Sequence, residues 1–167
     1  MRSLNNFIKL LTGSFDNRKQ FEAENPIDPD FPFAEHVNTI CNNRITGLPA
    51  DFEGYFMVEE CYYTVREKTS VHCHLFLFSE GSEGIELVSY ELPDNYICSE
   101  FTEVPYEKLH PIENQSTAVY SWKEGCWKGG SGSMFSPVLK FNLGEKMTVE
   151  YMETGVYEKP IFYRRNE

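Results

Sequence analysis

Three apolar runs carry the fold: GYFMVEECYYTV (residues 54–65), SVHCHLFLF (70–78) and GIELVSYEL (84–92). Each is rich in β-branched and aromatic residues, and the polar segments REKT (66–69) and SEGSE (79–83) between them have turn composition. The pattern predicts an antiparallel meander. Strand character returns further on in TAVYSW, SPVLKFNL, KMTVEYM and PIFYRR, with NLGEK as a hairpin turn and KGGSGS as a loop. Residues 93–116 are interrupted by Pro93, Pro105 and Pro111 and read as looped. At least seven short strands with little helix after residue 43 predict a mainly β chain. The expected form is a closed or nearly closed antiparallel barrel, with a β-sandwich as the alternative. A barrel of about eight to ten strands has room inside for one small ligand.

Alternation within SVHCHLF decides what its histidines and cysteine can do. Successive strand side chains point to opposite faces, so His72 and His74 share one face and Cys73 occupies the other. The three do not form a ligand set. A zinc site needs a third donor, and His36 and His110 have no motif around them, so no metal site is expected. On an interior face the two imidazoles would meet a ligand carboxylate; on an exterior face they are solvated. Val71, Cys73, Leu75 and Leu77 on one side, with Phe76 and Phe78 on the other, leave neither face clearly wet. In the preceding run Glu59 and Cys61 share a face. An acid in so apolar a strand is either exposed or buried with a partner, and pattern alone leans to exposure. Glu150 and Glu153 pose the same choice.

Before the strands, Leu4, Phe7, Ile8 and Leu11 follow i, i+3, i+4, i+7 spacing and predict an amphipathic helix ended by Gly13. A second helix is expected after NPIDPDFP. There Asp30 would cap, Pro32 would sit in the first turn, and Phe33, Val37, Ile40 and Cys41 would form the apolar face.

The chain of 167 residues fits one domain, residues 1–167. Its 26 acidic and 15 basic residues give a net charge of -11, which repels nucleic acid and anionic membrane surfaces. The 13 Phe, 10 Tyr and 2 Trp suit a β-rich core and can line a pocket for a flat ligand. Cys41, Cys61, Cys73, Cys98 and Cys126 are odd in number and widely spaced, which predicts reduced thiols in a cytoplasmic protein. No run approaches the roughly 20 apolar residues of a membrane span. Nucleotide-binding glycine, nucleophile-elbow and zinc-protease signatures are all missing from the sequence.

LLTGSFDNRKQ (residues 10–20) resembles the opening signature of the T-type phycobiliprotein lyases, the CpcT/CpeT chromophore lyase family, roughly L-x-G-x-F-x-N-x-x-Q. YFMVEECYY (55–63) is similar to that family's next strand. A Pro-Tyr-Arg-Gln-Arg-Val-Tyr strand of the family falls on Ser70 to Phe76, and YMETG resembles its Asp-Arg-Gly turn. The resemblance implies a calycin-type barrel, often dimeric, that binds a linear tetrapyrrole and transfers it to a cysteine of a phycobiliprotein β-subunit. The bilin, phycoerythrobilin or phycocyanobilin, is substrate, and no further cofactor is implied.

Carried over position by position, the resemblance gives Glu153 and Glu59 the catalytic role and makes Phe15, Asn17, Gln20, His72 and His74 ligand-binding. His72 and His74 stand where the family has two arginines, so Arg66 in the adjacent turn is added as a cation for the bilin propionates. Trp122 and Tyr151 are added as aromatic walls by strand position. The acceptor supplies the thiolate, and Cys73 is expected to pack. A non-catalytic carrier of a bilin or another hydrophobic anion is the alternative, and a cytoplasm, cyanobacterial or phage-infected, is the implied location.

Overall fold

The computed structural model describes residues 3–93, 103–129, 138–139, 141–143, 147–153, 155 and 157–166, with backbone alone for Cys126 and for the described residues between 138 and 151. Two helices, α1 (Leu4–Leu11) and α2 (Arg18–Glu24), flank β1 (Gly13–Asp16). Then follow β2 (Phe33–Ile40), β3 (Ile45–Thr46), β4 (Tyr55–Val65), β5 (Lys68–Glu80), β6 (Ile85–Tyr90) and β7 (Val104–Pro105). The later strands are β8 (Ala118–Lys123), β9 (Cys126–Gly129), β10 (Val138–Leu139), β11 (Phe141–Leu143), β12 (Met147–Glu153) and β13 (Ile161–Arg165).

The main sheet runs in the order β10-β9-β8-β6-β5-β4-β2-β1-β13-β12-β11 with every pairing antiparallel, and β3 and β7 are set apart as a small parallel pair. The sheet closes on itself. Val138 pairs with Lys128 of β9 and with Met152 of β12, and at the chain's two ends β1 pairs with β13. This is an up-and-down, calycin-like β-barrel with two N-terminal helices, as the alternation predicts.

The β4–β5 hairpin has eleven residue pairs, from Tyr55↔Phe78 to Val65↔Lys68. Its two-residue turn, Arg66 (φ 44) and Glu67 (φ 70), lies wholly in the left-handed region that matches strand twist. Neither residue is glycine, so the turn costs about 1 kcal/mol per residue, which the long ladder offsets. Both faces of the hairpin are apolar because both are covered. Met57, Phe76 and Phe78 face the interior, while Phe56, Val58 and Leu75 pack outside against Cys41, Ile45, Val104 and Leu109 around β3 and β7.

Helix α1 closes one end of the barrel. Leu4, Phe7, Ile8 and Leu11 are all buried, and the Phe7 ring meets Phe78, Tyr120 and Trp127 at centroid distances of 5.7, 5.8 and 5.0 Å. The free carbonyls at the helix C-terminus are claimed by Arg165, which donates to Lys9 O, Leu10 O and Thr12 O, and by Asn38, whose Nδ2 donates to Leu11 O at 2.9 Å. A guanidinium there also answers the negative end of the helix dipole.

Residues 33–40 form strand β2, not the expected second helix. They pair with β4 over eight positions, from Phe33↔Thr64 to Ile40↔Met57, and a helix there would forfeit that ladder. The second helix lies earlier, at Arg18–Glu24. Cys73 also departs from expectation. It is disulfide-bonded, so reduced thiols among the described side chains are Cys41 and Cys61. No helix among the described residues is long and apolar enough to cross a membrane. The NLGEK and KGGSGS segments fall largely outside the described residues.

Candidate functional site

Register across three strands builds the site. His36 of β2 stands beside Cys61 of β4, which stands beside His72 of β5; one row further in, Asn38, Glu59 and His74 align in the same way. All six face the barrel interior with Phe76 and Phe78. Along β5 exposure falls from Lys68–His72, which are exposed, through the half-buried Cys73 and His74 to the buried Phe76 and Phe78. Solvent therefore reaches the interior from the Arg66–Glu67 end of the hairpin, and α1 closes the other.

His36 is the centre, 3 % exposed. Its Nδ1 lies 2.7 Å from Glu59 Oε1, and its Nε2 lies 3.5 Å from Glu153 Oε2 and 3.3 Å from the Tyr63 hydroxyl. Glu153 is fixed in turn by two phenols: Tyr63 donates to its Oε1 at 2.7 Å and Tyr163 to its Oε2. The Cys61 thiol donates to Glu59 Oε1 at 3.1 Å, and the Tyr163 ring packs 4.4 Å from the imidazole. Glu59, 4 % exposed, has its second oxygen, Oε2, buried without a hydrogen-bond partner.

Burial alone would drive His36 toward neutrality. The Glu59 charge and the hydrogen bonds to Cys61, Glu153 and Glu59 outweigh it and hold the imidazole well above its ordinary value of 6.5. Burial likewise opposes the charge on Glu153, but His36 and the two tyrosines keep it below its ordinary 4.5. His74 is shifted the other way, with burial pulling it down so that it is neutral at physiological pH. Burial pushes the Cys61 thiol up to about 12 and keeps it protonated. One imidazolium thus serves two carboxylates. Buried ion clusters of this kind are often no more stable than an apolar replacement.

The linkage has a definite sign. The raised value of His36 gives stability that is complete below pH 6.5 and is lost as pH rises through its folded value. The lowered value of Glu153 gives stability that is complete above pH 4.5 and is lost as pH falls through its folded value. Urea denaturation of the metal-free protein is expected to show maximal stability between those limits and a decline above neutrality. Stability that rises steadily from about pH 6 to pH 9 would contradict this assignment.

Scans of protein-family models, curated proteins and solved structures found no match. The geometry alone sorts the residues singled out in the sequence. It brings together Glu59, Glu153, His74 and His72, the last exposed at the rim with its ring 5.9 Å from that of Tyr63. Glu59 is buried rather than exposed, because its partner arrives from β2.

The other residues lie apart from this cluster. Phe15 is buried in the core under the Arg165 guanidinium. Asn17 bonds Pro32 O and the Ala34 N–H, fastening the α2 entry to β2. Gln20 joins α2 to β13 through Pro160 O and the Phe162 N–H. Arg66 is exposed and paired with Asp30 at 2.7 Å. Trp122 packs on Trp127 at 5.5 Å, toward the α1 end. The side chains of Tyr151 and Glu150 lie outside the described residues. His36, the hub, was missed; the inward residues of β2 are Ala34, His36 and Asn38, all buried and two of them polar, so no apolar alternation points to it in the sequence.

Proposed function

We propose that the barrel binds a linear tetrapyrrole, phycoerythrobilin or phycocyanobilin, and transfers it to a cysteine of a phycobiliprotein β-subunit. One observation carries the reading: Glu59 and Glu153, the two acids to which the family resemblance gives the catalytic role, converge on a single imidazole inside the barrel. An ionised Glu153 at the boundary between the aromatic interior and the open end is suited to accept the pyrrole N–H groups. The propionates would extend toward the hairpin turn, where Arg66 and Lys68 are exposed.

The protein's work in the reaction is chiefly orientation and protonation. His36 and its carboxylates hold a proton at Nε2, aimed at Glu153, and the tyrosine pair fixes where Glu153 points. The acceptor thiolate forms a carbon–sulfur bond to the ethylidene carbon, and a proton is taken up at the adjacent ring carbon. The step is a net addition of thiol and needs no oxidant. Cys41 and Cys61, both pushed by burial to about 12, are protonated and take no part as nucleophiles.

A carrier that holds the bilin without forming the bond is the second reading. It is favoured by His74, a neutral imidazole where the resembling family has an arginine. Mixing the purified protein with each free bilin in chelator-containing buffer is expected to shift and sharpen the pigment's absorption. No spectral change with either bilin would overturn both readings. Co-expression with an acceptor subunit then separates them: a covalent, acid-stable adduct on one cysteine marks a lyase, and a spectral change without adduct marks a carrier.

A further inference from the structure

We propose that His36 Nδ1, Glu59 and Cys61 form a binding site for a divalent transition-metal ion, zinc above all, inside the barrel. This rests on a different side of His36 from the one used toward the pigment and does not depend on bilin binding. The three buried side chains come from two neighbouring strands and present one donor each. Nδ1 and Oε1 are 2.7 Å apart, Sγ and Oε1 3.1 Å, and Sγ and Nδ1 3.7 Å. Tetrahedral donors at about 2.0–2.3 Å from one zinc ion stand roughly 3.3–3.6 Å apart, so the two sulfur distances are already near what is needed and opening of the Nδ1–Oε1 pair by roughly half an ångström admits the ion. It would take the place of the two protons now held between these atoms, on Nδ1 and on Sγ.

Two further features point to a ligand. Glu59 Oε2 is a buried carboxylate oxygen without a hydrogen-bond partner, an uncommon condition that metal coordination relieves. The far nitrogen of His36 already faces Glu153, which Tyr63 and Tyr163 hold in place. A carboxylate behind the second nitrogen is the arrangement that orients a metal-bound imidazole. Thiolate, imidazole and carboxylate together suit zinc, and two anionic donors match its charge. His74 stands opposite Glu59 in register on the same face of the sheet.

Cobalt(II) reports directly on such a site. Protein stripped with chelator and titrated with cobalt chloride is expected to bind one equivalent, with a thiolate-to-cobalt charge-transfer band and intense visible bands of tetrahedral character; zinc chloride should bleach both. Cys61→Ser should abolish the charge-transfer band, while Cys41→Ser, in the outer cluster, should keep it. Because a core variant can fail to fold, the unmodified protein gives a second readout: zinc should protect Cys61 from alkylation at least tenfold, with Cys41 unaffected. A missing charge-transfer band, a band that survives Cys61→Ser, or an alkylation rate at Cys61 unchanged by zinc would overturn the site.

Discussion

Replacing His36 with alanine is expected to destabilise the metal-free protein by about 3–5 kcal/mol, as removing one partner from a buried ion cluster does. The imidazolium is in contact with both Glu59 and Glu153. Its removal leaves Glu59, already short of a partner for Oε2, with only the Cys61 thiol as a donor among its described hydrogen bonds. Urea denaturation measures the loss, and His72→Ala is the control. His72 is exposed at the rim, so its truncation should change stability by no more than about 0.5 kcal/mol. Equal effects from the two variants would mean that His36 is not the counter-charge.

Glu153→Gln is expected to have the largest effect on pigment binding while leaving the fold intact. The substitution exchanges a charged acceptor for a neutral one, and hydrogen bonds to charged groups are worth about 1 kcal/mol more than neutral ones. With several pyrrole N–H groups converging on one carboxylate, bilin affinity should fall by about tenfold or more, read from the absorption titration. His36 keeps Glu59 as its counter-charge and the glutamine can still accept from the two tyrosines, so the urea midpoint should fall by less than it does in His36→Ala. A variant that binds bilin as well as the unmodified protein would remove Glu153 from the pigment site.

The barrel was legible where its two faces differ in kind or where both are apolar. The β4–β5–β6 meander was readable because Met57, Phe76, Phe78 and Leu87 line the interior at every second position. Strand β2 was not. Its inward residues are Ala34, His36 and Asn38, two of them polar because they serve the acid cluster and the α1 C-terminus, so no apolar alternation marks the strand. What remains is Phe33, Val37, Ile40 and Cys41, whose spacing mimics a helical stripe.

The site shows the same limit. Glu59 and Glu153 could be singled out locally, but the histidine that joins them arrives through the pairing of β2 with β4, and cross-strand register is not written in any short segment. Motif residues Asn17 and Gln20 were equally visible in the sequence, and their bonds to Ala34, Pro32, Pro160 and Phe162 are those of α2 anchoring.

The central claim is that acids from β4 and β12 meet on one protonated imidazole inside the barrel. Nitrogen-15 NMR of the histidine side chains in metal-free protein tests it most directly, with His36 assigned by its absence in a His36→Gln sample. At neutral pH both ring nitrogens of His36 should carry a proton, and should keep it well above the ordinary imidazole value of 6.5. A His36 signal with one protonated and one bare nitrogen at pH 7 would contradict the account.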